Sequence, residues 1–307
     1  MNRTYCTGDL HGEPIERFSF RQNPGLRRLD ETDVMVCLGD IGIGWGLPQT
    51  IREWRYKLQW MANQKYTYLL VRGNHDNTDW WLSCPPTAGN EKVRLIDGDL
   101  RQAALEDKIF DNIYLVYSSA LLDVCGKKCL AIGGAKSHDA HHLAWPHEKS
   151  KIKIWKSQHR WYRVVGQTYW LDEDVNIDYL DSLLDYNNLL YTGKVDYIFS
   201  HDAPAYFNEV YIRPGEYRMK PTASESYLED VRQSVKHTHW FHGHYHIFET
   251  YGKTFKPNPE WAIGNGKSAM LEEGVNDCTC LFKEIIEVDG YLHRQENNDP
   301  LDWLVAS

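Results

Sequence analysis

The chain has 307 residues, with 42% hydrophobic and 25% charged side chains, an ordinary globular composition that is neither disordered nor fibrous. Its formal charge of −9 disfavours a general nucleic-acid binder, because affinity for a phosphate backbone comes from Lys and Arg neutralising charge. No stretch approaches the roughly 18 apolar residues of a membrane span. The first residues carry no apolar leader, and the seven cysteines lack the spacing of a structural zinc site. A cytoplasmic protein with reduced thiols and no membrane partner is expected, folded as one domain over 1–307.

In chain order, short apolar runs end abruptly in polar, Gly-containing loops. Tyr5-Cys6-Thr7 precedes Gly8-Asp9, and Val34–Leu38 precedes Gly39-Asp40. A helix follows: Pro48 suits its first position, and Ile51, Trp54, Leu58 and Met61 recur on one face. Tyr68–Val71 then leads to Gly73-Asn74. Asn112–Ser118 and Lys128–Ile132 read as strands paired across a turn near Gly126.

Ile177, Leu180, Leu183 and Leu184 line a second helix, with Gly193 as its expected stop. Tyr197–Phe199 leads to His201. Leu228, Val231 and Val235 line a third helix, with Ser226 and Glu229 as the expected capping box. Trp240-Phe241 leads to a histidine cluster, and the helix-free stretch 247–292 suggests further antiparallel pairing. Strands alternating with helices argue for an α/β layered domain.

One segment breaks this rhythm. Lys149–Arg163 holds six basic residues and no acid, with Trp155, Trp161 and Tyr162 interleaved. It reads as part of a basic aromatic insertion at about 138–176, and a C-terminal extension is expected at about 285–307. Two readings of 149–163 compete: a solvated amphipathic helix with its Trp residues on the core, or a lid offering cations and aromatics to a phosphorylated substrate.

The strand-end loops repeat one chemical type: Gly8-Asp9-Leu10-His11-Gly12, Gly39-Asp40, Gly73-Asn74-His75-Asp76, Ser200-His201-Asp202, and Gly243-His244-Tyr245-His246. Carboxylate, carboxamide and imidazole donors without thiolate suit Mn, Fe, Zn or Ni. Loops at the carboxyl ends of strands in an α/β sheet converge on one crevice, so donors far apart in sequence can meet there. Taken singly, Asp9 and Asp40 also suit helix N-caps, and a lone His suits a satisfied polar position. All seven arising that way together is a poor bet. Glycines 42, 44 and 46 lack the GxGxxG spacing of a dinucleotide loop and read as a tight turn beside Asp40.

In this order the motifs resemble the calcineurin-like metallophosphoesterase superfamily, over Gly8 to about His246. The resemblance implies a four-layer αββα sandwich of two mixed β-sheets flanked by helices. It implies two divalent metal ions, Mn first, with Asp9, His11 and His246 on one and Asn74, His201 and His244 on the other, Asp40 bridging. His75 then falls at the general-acid position, and the implied reaction is hydrolysis of a phosphomonoester or phosphodiester by a hydroxide bridging the cations. The protein-phosphatase branch follows its Gly-Asp with x-x-Asp-Arg-Gly, whereas this chain has Ile43 and Gly44 there, so its phosphate-gripping Arg is absent. Arg72, Arg160 and Arg163 are the substrate-binding candidates. A phosphorylated small molecule or nucleotide is the expected substrate. Nucleic-acid ends reached through the basic segment are the alternative, ahead of a protein phosphatase or a non-catalytic scaffold. Asp76, Asp139 and Asp202 are candidates to support histidines.

Overall fold

The computed structural model describes residues 2–46, 50–190, 192–207, 220–247, 249–251 and 278–289. Its frame is an 11-stranded mixed sheet. Strands β1 (Thr4–Gly8), β2 (Val34–Leu38) and β3 (Thr67–Val71) run parallel. The 17-residue β5 (Lys108–Val124) pairs β3 through its first half and β6 (Lys127–Ile132) through its second, turning at Gly126. Beyond β6 come β9 (Tyr197–Ser200), β10 (His239–His242), β12 (Cys278–Cys280) and β11 (Glu249–Tyr251). Strand β13 (Ile286–Glu287) closes the other edge antiparallel to β1.

The sequence pattern missed β4 (Val93–Leu105), which pairs β5 antiparallel with three register irregularities. Such irregularities break the period of two that marks a strand in sequence.

Side chains alternate between two cores. On β2, Val34, Val36 and Leu38 join an inner cluster with Leu69, Val71, Ala131, Phe199 and Phe241. Met35 and Cys37 face the other way, onto α1 (Pro14–Arg17), α2 (Thr50–Ala62) and α3 (Thr78–Ser83), with Trp54, Leu58, Met61, Trp80 and Trp81. On the far half, Leu130, Ile132, Ile198 and Trp240 pack under α5 (Ile177–Tyr186) and α6 (Ala223–Ser234). The layers are therefore helix, sheet, sheet, helix, as the resemblance implies, with the two sheets hydrogen-bonded into one through β5. Strands buried on both faces lose the polar alternation of surface strands, which is why these read as continuous apolar runs.

Two helix ends differ from expectation. Helix α5 stops at Tyr186, capped by Asn187, and the chain turns on Asn188 at φ 55, well before Gly193. Helix α6 starts a turn earlier than Ser226: Thr222 accepts from the Glu225 amide while the Glu225 carboxylate accepts from the Thr222 amide. Ser226 instead donates to the Thr222 carbonyl at 2.9 Å. Pro48, residues 252–277 of the stretch expected to pair antiparallel, and residues 290–307, which include most of the expected C-terminal extension, lie outside the described residues.

The basic segment forms α4 (Lys149–Ser157), none of whose residues is buried, between β7 (Leu143–Ala144) and β8 (Arg163–Val164), a separate two-stranded parallel sheet. Its Trp residues do not pack on the core: Trp155 stays half-buried against His142 and Tyr162, and Trp161 is 84% exposed. No two of the seven cysteines form a disulfide. Among the described residues no helix is long and apolar enough to cross a membrane.

Candidate metal centre and catalytic residues

Register brings the expected ligands together. Gly8 is opposite Leu38 and Leu38 opposite Val71, so β1, β2 and β3 end level and release Asp9, Asp40 and Asn74 at one height. On the far half Ile132, Ser200 and His242 are also in register, releasing Ser137, His201 and His244. The two halves are tied where these loops meet: the His244 amide donates to both Asp9 carboxylate oxygens (3.1 and 3.0 Å), and His201 Nδ1 lies 2.8 Å from the Leu38 carbonyl. Gly39 permits this approach, since a Cβ there would lie 2.1 Å from His201 Nδ1.

Ligand atoms of Asp9, His11, Asp40 and His246 all lie within 4.8 Å of one another. His11 Nε2 and His246 Nε2 are 2.8 Å apart. On the other side of Asp40, His201 Nε2 lies 3.1 Å from Asp40 Oδ1 and 3.0 Å from Asn74 Oδ1. The His244 ring is 5.0 Å from that of His201, and its buried Nδ1 has no hydrogen-bond partner. Asp40 thus sits between two donor groups, as a bridging carboxylate must.

Five of these seven residues hold positive φ without being glycine: Asp9 (40°), His11 (45°), Asp40 (46°), His244 (73°) and His246 (55°). Each such residue costs on the order of 1 kcal/mol or more, and such strain clusters at functional sites.

The electrostatics ask for cations. Burial pushes the Asp9 carboxyl well above the usual range, and the nearby Asp40 charge adds to this. Asp40 is held well below it: burial opposes its charge, but His201 and His75 outweigh burial. Burial opposes charge on His201 too, yet Asp40 and Asp9 raise it to about 10. Burial lowers His11 to about 4 and pushes His244 and His246 down as well. Neutral imidazole is the form that offers a lone pair to a metal. Converging lone pairs, an orphaned buried imidazole nitrogen and paired buried carboxylates all fit a pair of divalent cations.

His75 lies at the open side of this cluster. Its amide donates to Asp40 Oδ1 at 2.8 Å, its Nδ1 is 3.8 Å from Asp40 Oδ2, and its ring stacks on Trp45 at 4.9 Å. Burial lowers its pKa, with Arg163 adding to the effect and Asp40 opposing it. Arg163 Nη2 is 3.1 Å from His75 Nε2, and its guanidinium is held by Asp139 at 2.5 Å and lies over the Trp45 ring.

The other cation candidates separate cleanly. Arg72 faces away from the site: it is 1% exposed, and its guanidinium donates to the carbonyls of Tyr117, Glu173 and Asp174. It is a tie between loops, not a substrate contact, because its donors are spent inside the protein. Arg160 is exposed beyond the end of α4.

Of the three acids, Asp139 reaches His75 through Arg163. Asp76 supports backbone rather than a histidine, accepting from the amides of Ile41, Gly42 and Gly73, which fixes the Asp40 and Asn74 loops. Asp202 accepts from Tyr245 Oη at 3.4 Å. His138 packs against His244, and His142 against Trp155.

Sequence reasoning missed Ser137, Glu173 and Trp45. Ser137 Oγ accepts from Asn74 Nδ2 at 3.0 Å, and the Ser137 amide donates to the buried Glu173 carboxylate at 2.7 Å. These two aim the Asn74 carbonyl at His201. Ser137 stands two residues before Asp139, which the sequence did single out; nothing in the pattern marks Glu173.

The family model described as calcineurin-like phosphoesterase matches residues 3–248. No curated protein matches the chain. Among solved structures, a phosphopantetheinyl hydrolase from Mycobacterium tuberculosis aligns over 100% of this chain and 95% of its own, at 11% identity and a TM-score of 0.41. A protein of unknown function from Aquifex aeolicus aligns over 60% of this chain and 100% of its own, at 14% identity and a TM-score of 0.24. With the family model spanning every strand-end motif of the centre, this chain belongs to the calcineurin-like phosphoesterase family.

Proposed function

We propose that the chain is a dinuclear metal-dependent phosphoesterase that hydrolyses a small phosphorylated molecule or nucleotide, with His75 as general acid. One observation carries this: six donors from four other strand ends surround Asp40, and His75 hangs from the Asp40 carboxylate. Asp9, His11 and His246 would hold one ion and Asn74, His201 and His244 the other, with Asp40 shared. When bound, such a pair supplies a nucleophilic water near neutral pH and neutralises charge on the phosphoryl oxygens.

The chain's own residues supply the rest. Asp40 fixes the His75 backbone and Trp45 fixes the ring plane, so Nε2 is aimed before substrate arrives. At rest Nε2 accepts from Arg163. A phosphoryl oxygen taking that Arg163 N–H frees Nε2 to pick up a proton, the one that the attacking water releases, and to pass it to the departing oxygen. Arg163 thereby supplies the cation that Gly44 cannot.

A second reading, a phosphatase or nuclease on nucleic-acid ends, is favoured by the continuity of Arg163 with the exposed Lys153, Lys156, Arg160 and Trp161. Turnover of a chromogenic monoester, a chromogenic diester and 5′- or 3′-phosphorylated oligonucleotides by manganese-loaded protein separates the readings. The proposal expects turnover of a small ester that oligonucleotide length does not improve. Rates rising with length select the second reading, and no turnover of any ester rejects both.

A further inference from the structure

A cavity of about 400 Å³ opens beside the centre, lined by His11, Gly12, Gly42, Trp45, Trp54, Lys57 and His75, with Glu53 at its α2 side. Two walls belong to the site already described, His11 and His75; the opposite wall is α2 and has no role in that chemistry. Lys57 is half-buried there. Its Nζ donates to the Gly12 carbonyl at 2.6 Å and lies 5.1 Å from the centre of the Trp54 ring. No carboxylate among the described residues pairs with it, Glu53 included. An ammonium carries three donors, and one carbonyl uses one of them. A half-buried cation on the wall of a pocket, with donors to spare and no acid among the described residues paired to it, points to an anionic ligand.

Resting on the proposed phosphoesterase reading, we propose that this cavity is the leaving-group subsite, and that it takes a leaving group bearing a second anionic group which Lys57 binds. The position follows from His75. Hydrolysis forms a P–O bond from water and breaks the P–O bond to the leaving group, whose oxygen takes the proton from His75 Nε2. The departing fragment therefore lies on the His75 side of phosphorus, and His75 lines this cavity. Its volume admits a fragment of small-metabolite or single-nucleotide size and excludes a folded partner. The second anion is a phosphate or a carboxylate, since one ammonium serves either. Glu53 is exposed, so water screens its charge, whereas Lys57 is partly shielded.

The test compares three esters of matched length: propyl phosphate, propane-1,3-diol bisphosphate, and the phosphate ester of 3-hydroxypropanoate. With manganese-loaded protein, kcat/KM for one or both doubly anionic esters should exceed that for propyl phosphate by about 10- to 100-fold, the worth of one charged hydrogen bond. The ester that is preferred identifies the second anion. Lys57→Met, which keeps the apolar stem, should erase the preference and leave propyl phosphate within about twofold; Lys57→Arg should keep part of it. Independently of turnover, calorimetry on metal-stripped protein should show propane-1,3-diol monophosphate binding about tenfold more weakly to Lys57→Met. Equal losses for all three esters, or a fall in melting temperature alone, would make Lys57 a strut for the Gly12 loop and overturn the proposal. Three esters hydrolysed alike by wild type also overturn it, and leave the phosphoesterase reading standing. Lys57-dependent binding with no ester turned over sinks the phosphoesterase reading instead.

Discussion

Arg163 Nη2 lies 3.1 Å from His75 Nε2, closing a chain of contacts that runs from Asp139 through Arg163 and His75 to Asp40. Three of these residues come from loops far apart in sequence, and the fourth opens the second strand of the small β7–β8 sheet. The insertion thus reaches His75 through Arg163, beside its contacts with the centre at His138 and Glu173.

Arg163→Ala should raise KM by about 10- to 100-fold with a smaller effect on kcat, as expected for a lost charged contact to phosphate. Arg160→Ala should stay within about twofold, because Arg160 is exposed past the end of α4. Steady-state kinetics of the two single variants decide the point. Equal effects would mean that the whole segment, and not one residue, contacts substrate.

His75→Ala should keep the metal content and lower kcat by about 10² to 10⁴, the usual range for a lost general acid. The loss should shrink for nitrophenol esters, whose leaving group needs no proton. Losses independent of leaving-group pKa would place His75 in phosphoryl binding alone.

Glu173 offers a test that needs no metal. Burial raises its carboxyl to about 7, and hydrogen bonds from Ser137 recover only part of that. The folded value lies above the ordinary 4.5, so the protonated form is favoured in the folded state. Its contribution is complete below pH 4.5 and is lost as pH rises through 7, by at most about 3 kcal/mol. In metal-stripped protein, Glu173→Gln should match wild type near pH 4 and melt several degrees higher near pH 8. A variant that melts lower at pH 8 would show that the ionised form is the one the fold prefers.

The strand-to-loop junctions were legible because β1, β2, β3, β9 and β10 are buried on both faces, and each apolar run ends in a conspicuous Asp, Asn or His. What places those ends at one height is register, Gly8 with Leu38 with Val71, which no local pattern encodes. The bulged β4 hid for the opposite reason, its alternation being broken three times. Arg72 misled because sequence gives residue type and not direction: beside the motif, it points into the protein. Glu173 and Trp45 act through contacts with residues roughly 30 to 40 positions away, beyond the reach of any spacing rule.

Asp40→Asn should cost more bound metal than any other ligand change. Asp40 faces both donor groups, and its charge is the one that would offset repulsion between two cations. Elemental analysis of Asp40→Asn beside His11→Ala and Asn74→Ala makes the comparison. Loss of one ion by Asp40→Asn with the second fully retained would remove it from the bridging position.

The most direct measurement is metal stoichiometry with turnover on one sample: elemental analysis of protein saturated with manganese, then stripped with chelator, then reloaded, each assayed on a chromogenic phosphoester. Two ions per chain, turnover lost on stripping and restored on reloading are the predicted results. A single ion at saturation with full turnover, or turnover that survives stripping, would contradict the account of two ions shared across Asp40.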